Sequence, residues 1–372
     1  MRNDKVKMLV FHPVIAPYRI DFFNELYSQF GAEVCLFYRN LRSQKFDYEK
    51  IEKQFLFNPI YIEKKGSFVS WVKKIVHQLS VSKPNVVLVS ELGVPTLITI
   101  LYKFITFKRY KIVSMIDDSY DMVAGDKQFS WKHKYATKLL MPLLDEVINV
   151  EPMVTDFYNT KFNKGFFFPI ITSDKIAKQC LEKVIPISNE YIKTYHLQGK
   201  KVLLFVGRLV KIKNVSFAIK AFMKANIPNS VFVIVGDGSE RKNLESLAQH
   251  FENIIFTGRL EDDELYAWYN IAQCFTLPSL QEPFGAVTNE ALQGGCKVLI
   301  SKVAGSLCLV EEGKNGYLID PKNMDDYIKK LISILDDADA CDTIHKVRQN
   351  LMIYTFNDKF EGFYNKVQNL IK

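Results

Sequence analysis

Two carboxylates and two cations in the second half of the chain have the types and spacing for phosphate and sugar chemistry. Glu282 and Glu290 flank the turn Pro283-Phe284-Gly285-Ala286-Val287, and Arg208 and Lys213 flank Leu209-Val210-Lys211-Ile212. The apolar run Cys274–Leu277 reads as a buried strand. After the turn, Val287, Ala291 and Leu292 recur on one helical face until Gly294-Gly295 stops it. The order is strand, loop, helix. The first amides of a helix lack intrahelical partners and suit an anion, with phosphate the obvious choice. A carboxylate beside a phosphate is repelled unless it bonds something else, and it can accept hydrogen bonds from both hydroxyls of a vicinal diol. Gly207-Arg208 likewise follows the apolar run Lys201–Val206 and precedes a helical pattern at Val215, Ala218, Ile219 and Phe222, with Asn214 as its expected cap. Two cations at a strand-to-helix turn suit a diphosphate.

The elements around these turns alternate. In the first half, strand patterns at Lys7–His12, Val34–Tyr38, Asn85–Ser90, Tyr110–Ile116 and Glu146–Val150 are separated by helical ones. That alternation predicts a parallel α/β sheet, whose ligands bind beyond the carboxyl ends of the strands. Two such ends carry polar groups. One is the loop Pro13–Arg19 with Tyr18 and Arg19, which suits an acceptor or a phosphate. The other is Asp117-Asp118-Ser119-Tyr120-Asp121, with three carboxylates. No G-x-G-x-x-G follows the first strand, so a dinucleotide is not expected. A linker is expected near residues 170–182, and helices over 324–336, 342–353 and 357–371.

At 372 residues, two domains are expected. Met8–Tyr18 is broken by His12, Pro13 and Pro17 and does not read as a signal peptide, and no apolar run reaches the length of a spanning helix. The six cysteines form no C-x-x-C pair, which favours buried thiols in a reducing cytosol over a metal site. Residues 1–180 hold 26 Lys and Arg against 18 Asp and Glu, and the rest of the chain balances. Basic clusters at Lys64-Lys65, Lys73-Lys74, Lys103 and Lys108-Arg109, with Trp71, Phe104 and Phe107 nearby, suit anionic lipid or a solvated basic surface. No nucleic-acid motif accompanies them, so no nucleic-acid partner is expected.

Glu282-Pro283-Phe284-Gly285 with Glu290 resembles the E-x7-E motif of retaining glycosyltransferases of family four. Gly207-Arg208 followed by Lys213-Asn214 resembles that family's pyrophosphate loop. The resemblance is strong over about residues 200–321; the first half matches in element order and in Pro17-Tyr18-Arg19. It implies a GT-B fold: two Rossmann-like domains facing a central cleft. The first would cover 1–175 with a returning C-terminal helix at 355–372, and the second, donor-binding, 183–354. It implies sugar transfer from a nucleotide-sugar to a glycan or lipid-linked saccharide, with no cofactor and no obligatory metal. Such an enzyme would work in the cytoplasm, in polysaccharide synthesis at the inner membrane face. Arg208 and Lys213 would hold the donor phosphates, Glu282 the sugar and Glu290 the ribose. Gly207, Arg259, Pro283, Phe284, Gly285, Ala286 and Val287 would line the donor site, with Tyr18 and Arg19 on the acceptor side. Asp117 stands where the family often has a His that contacts the donor sugar, so Asp117 and Asp118 are the catalytic candidates there, and His133 a substitute for the missing His. A sugar-nucleotide epimerase or hydrolase, or a non-catalytic nucleotide-sugar-binding protein, would keep the same donor residues.

Overall fold

The computed structural model describes residues 6–39, 47–63, 66–118, 120, 123 and 131–372. The chain divides into two compact units, Met1–Thr172 with Asn357–Lys372, and Ser173–Phe356. Each is built on one parallel sheet with helical crossovers, the GT-B plan.

The first unit carries β1 (Met8–His12), β2 (Glu33–Leu36), β3 (Ile60–Tyr61), β4 (Val86–Ser90), β5 (Lys111–Ile116), β6 (Glu146–Asn149) and β7 (Phe166–Phe167). Their order in the sheet is β3-β2-β1-β4-β5-β6-β7. Almost every residue of β1, β4, β5 and β6 is buried, as strands covered on both faces require. One face packs under the helices Phe68–Ser82, Val94–Ile105, Trp131–Leu140 and Pro152–Phe162. Trp71 lies in that core at 5% exposure, with its indole N–H donating to the Ile62 carbonyl. It therefore leaves the aromatic surface expected around the basic clusters.

The last helix, Phe356–Ile371, belongs to this unit from Asn357 onward. Phe360 and Phe363 enter an aromatic cluster with Phe22 and Phe168, ring centroids 5.8–6.4 Å apart. The Lys366 ammonium meets the buried Glu146 carboxylate at 2.6 Å.

The second unit carries β8 (Lys201–Val206), β9 (Ser230–Val235), β10 (Ile254–Gly258), β11 (Cys274–Leu277), β12 (Lys297–Ser301) and β13 (Gly316–Ile319), in the order β10-β9-β8-β11-β12-β13. Chain order reverses between β8 and β11, so those two neighbours send their following loops, 207–214 and 278–286, out beside each other at the switch point where such sheets bind ligands.

Some elements differ from expectation. The stretch 342–353 is irregular rather than helical. Its backbone is spent on distant partners: Ile344 N–H on the Asn189 side chain, Leu351 N–H on the Leu292 carbonyl. Arg348 donates to the Gly294 and Tyr269 carbonyls. The helix Asp174–Lys183 occupies most of the stretch expected as linker, followed directly by the helix Ile185–Thr194. All six cysteines are free thiols. Lys64, Lys65, Ser119 and Asp121 lie outside the described residues, as does the His133 side chain.

Phe363→Ala should destabilise the first unit by about 3–5 kcal/mol, the usual cost of emptying a fully packed aromatic site. Urea unfolding checks this; a loss under about 1 kcal/mol would show that the terminal helix is not part of that unit's core.

Candidate functional site

The loop after β8 begins at Gly207, whose φ of +155° lets the chain leave the strand sharply. A Cβ on Gly236 would come within 1.9 Å of the Gly207 carbonyl oxygen, so two backbones touch here that side chains would hold apart. Leu209 is fully buried, donates its amide to the Asp237 carbonyl and accepts from the Glu240 amide. The loop is thus fixed at its middle. The Arg208 carbonyl accepts from the Val210 amide, and the exposed Arg208 side chain makes no hydrogen bond or ion pair among the described residues.

Lys213 closes a short 3-10 turn, Lys211–Lys213. Two bonds hold that turn: the Leu280 amide donates to the Ile212 carbonyl at 2.8 Å, and the Asn214 side-chain amide donates to the Pro321 carbonyl at 2.9 Å. Asn214 itself is left-handed, at φ +56°, and its side chain makes no cap for the helix Val215–Ala225. The expected cap is therefore replaced by a tie to the loop after β13.

Leu280 belongs to the loop after β11, so the two loops are joined through backbone. They are also joined through charge: the Lys213 ammonium pairs with the Glu282 carboxylate, both largely buried. The Ser279 hydroxyl lies 3.5 Å from the same carboxylate oxygen. Burial makes this pair sensitive to its surroundings, since neither charge is well solvated once its partner is gone.

Beyond Glu282 the loop turns at Gly285, φ +92°, where a Cβ would lie 2.5 Å from the Leu277 side chain. The segment Ala304–Ser306 braces this turn: Gly305 N–H donates to the Glu282 carbonyl, Ser306 N–H to the Phe284 carbonyl, and the Thr288 and Ser306 hydroxyls sit 3.0 Å apart. The Thr288 and Asn289 amides bond back to Gly285 and Ala286, so the amides just before them stand at the open start of the helix Val287–Gln293. Pro283 is exposed and Phe284 buried.

Glu290 lies about one turn into that helix. The Tyr269 hydroxyl donates to its carboxylate at 2.8 Å. Burial pushes the Glu290 carboxyl up to about 7, against a smaller downward pull from Tyr269. Nothing in the local sequence marks Tyr269 as this partner. Arg259 follows β10 and pairs with Glu261.

In the first unit the structure brings together two residues that the sequence had set 98 positions apart. Arg19, 4% exposed, meets Asp117 at 2.6 Å. Tyr18 beside it is half-buried. Asp118 points elsewhere: it is buried, and the Tyr158 hydroxyl donates to it at 2.9 Å. At the end of β1, His12 adjoins this group. Burial and the Arg19 guanidinium hold its imidazole down to about 3, so it is neutral near pH 7, and its Nδ1 has no partner among the described residues. The sequence marked His12 only as the end of a strand.

Residues 188–351 match the family of glycosyl transferases group 1. The match lies within the second unit and covers less than half of the chain. It is 34% identical to an uncharacterised glycosyltransferase of Methanocaldococcus jannaschii over 37% of this chain and 36% of that one. It is 32% identical to the Escherichia coli UDP-Gal:alpha-D-GlcNAc-diphosphoundecaprenol alpha-1,3-galactosyltransferase over 50% of this chain and 51% of that one. The chain thus spans about a third to a half of these curated relatives. Anabaena HepE in complex with UDP and glucose shares the fold, with a TM-score of 0.72 at 17% identity, over 98% of this chain and all of that one.

The Glu290 carboxyl gives a pH prediction. With a folded value near 7 against about 4.3 unfolded, the native state keeps a proton that the unfolded chain loses between those values. This group's contribution to stability therefore falls as pH rises through that window. Relative to wild type, Glu290→Gln should gain about 1–3 kcal/mol between pH 5 and pH 8 in urea unfolding. An unchanged difference at the two pH values would mean an ordinary carboxylate.

Proposed function

We propose that this chain is a retaining, metal-independent glycosyltransferase that moves a hexose from a nucleotide-sugar, UDP-hexose by preference, to a saccharide acceptor. The observation that carries the reading is the pairing of Lys213 with Glu282 between two loops that leave adjacent central strands at the switch point, with Arg208 unpaired on the same first loop. A diphosphate needs fixed positive charge. A sugar beside it needs an acceptor of hydroxyl hydrogen bonds. This loop pair offers both.

In the reaction, the bond between the sugar's anomeric carbon and the β-phosphate oxygen breaks, and its electron pair stays on that oxygen. Arg208, Lys213 and the amides near Gly285 and Ala286 stabilise the growing charge, as a pre-organised set that needs no reorganisation. The acceptor hydroxyl attacks the anomeric carbon from the same face, and its proton passes to the departing phosphate oxygen. Products are the glycoside, with its configuration kept, and the nucleoside diphosphate. Glu282 accepts from the sugar hydroxyls once Lys213 turns to phosphate. Glu290 accepts from the ribose. Pro283, Phe284 and Val287 shape the turn, and Gly207 and Arg259 edge the donor site.

On the acceptor side we assign Tyr18, Arg19 and Asp117, the last with its carboxylate held and oriented by Arg19. Asp118, spent on Tyr158, keeps the end of β5 in place. The names of the relatives support a uridine diphosphate donor, since HepE was solved with UDP and glucose and the E. coli relative is named for UDP-Gal. The acceptor we favour is a lipid-linked saccharide met in the cytoplasm at the inner membrane face, in cell-surface polysaccharide synthesis. The diphosphoundecaprenol acceptor in the relative's name and the basic first half of this chain support it.

Arg208→Ala and Lys213→Ala should each lower kcat by about two to three orders of magnitude, the usual loss for one charge-stabilising donor at a reacting centre. Turnover within tenfold of wild type in both variants, measured as nucleoside diphosphate release, would contradict the assignment.

A further inference from the structure

The helix Val94–Ile105 is apolar on both sides. Its buried side carries Ile98 and Ile100, which join the core, and Thr96 and Thr99, whose hydroxyls donate to the Glu91 and Pro95 carbonyls. Its exposed side carries Leu97, Leu101, Phe104 and Ile105, spaced i, i+4, i+7, i+8 as one stripe, with Phe104 at 57% and Ile105 at 75% exposure. Just beyond the helix Phe107 stands 90% exposed in a left-handed turn. A surface helix usually turns a polar face to water, and a contiguous apolar stripe on a surface marks a place where something other than water sits.

The charges around the stripe say what. The helices Phe68–Ser82, Val94–Ile105 and Trp131–Leu140 lie on the same face of the sheet, and the first two are in contact. Not one Asp or Glu occurs in any of the three. Exposed Lys73, Lys74 and Lys138 lie on these helices and exposed Lys108 and Arg109 just after the second, and Leu139 adds an exposed apolar side chain. Lys103 is already neutralised by Asp145 at 3.1 Å and is not counted among them. Carboxylate-free helices with cations around an apolar ridge match a surface that is anionic in its outer layer and apolar beneath. No helix among the described residues is long and apolar enough to cross a membrane.

We propose that this helical layer of the first unit docks the chain on an anionic lipid bilayer, with Phe104, Ile105 and Phe107 entering the headgroup boundary and Lys73, Lys74, Lys108 and Arg109 meeting lipid phosphates. The proposal deepens the lipid-linked acceptor reading and rests on it for its purpose. The docking itself is a separate physical claim, carried by side chains outside the donor loops.

Flotation of the full chain with vesicles tests it. The wild type should float with phosphatidylglycerol-containing vesicles at low salt and stay behind with pure phosphatidylcholine. The double variant Phe104→Ser/Phe107→Ser should lower partitioning by about tenfold or more through lost apolar insertion. Lys108→Glu/Arg109→Glu should lower it and flatten its salt dependence. In both variants the thermal shift given by UDP should match wild type, which shows the fold and the donor loops intact. Absence of flotation at low salt, or both variants floating like wild type, would overturn the proposal. So would a wild-type dimer in solution that Phe104→Ser/Phe107→Ser turns into monomer, since the stripe would then face a second copy. A missing UDP shift with vesicle binding preserved would count against the donor reading alone.

Discussion

A buried ammonium and a buried carboxylate, Lys213 and Glu282, hold together the loops after β8 and β11, to which we assign the chemistry of this chain. Their positions come from different elements, 69 residues apart, and each has a backbone anchor of its own: Ile212 on Leu280, and Glu282 on Gly305. Desolvation makes a lone charge here expensive, so each of the two charges holds the other in place. A diphosphate offers the ammonium a stronger partner, and a sugar hydroxyl offers the carboxylate a neutral one. In the proposed reaction the contact between the loops is exchanged for two contacts with the donor, and neither charge is left bare.

That exchange needs little movement because the backbone beneath is rigid. β8 and β11 are adjacent and buried, and their loops leave in the same direction. At Gly236 and Gly285 the chain passes so close to its neighbours that a methyl group would collide, which fixes both loops by contact rather than by side-chain reach. The same pattern, a carboxylate and a cation joined at strand ends, recurs in the first unit as Arg19 and Asp117. There the imidazole of His12 stays neutral beside the guanidinium, and the Glu91 carboxylate accepts from the Asp117 amide.

The fold was legible because buried parallel strands announce themselves as short apolar runs such as Leu203–Val206 and Val298–Ile300, and the loops after β8 and β11 because Gly, Pro, Arg, Lys and Glu sit at fixed offsets after such runs. The sheets and the GT-B class agree with that reading. What was not legible depends on contacts far apart in sequence. The amphipathic pattern of 342–353 suggested a helix, yet long-range bonds to Asn189, Gly294 and Leu292 claim its backbone. Trp71 sits among lysines in sequence but inside the core in space. Asn214 has the right type for a cap and is drawn off by Pro321. The Tyr269 hydroxyl on Glu290 and the Ser306 brace under Gly285 are likewise products of packing. Local pattern carries the elements, while pairing partners are settled only when the sheet is assembled.

The exchange at Lys213 and Glu282 is best tested by calorimetric binding of UDP, and of UDP-glucose, to wild type, Glu282→Gln, Lys213→Ala and the double variant. The account predicts that Glu282→Gln binds UDP at least as tightly as wild type, because Lys213 is released, yet loses affinity for UDP-glucose. It also predicts that the effects of the two substitutions on UDP binding are strongly non-additive. Additive losses, or a Glu282→Gln protein that weakens UDP and UDP-glucose equally, would contradict it.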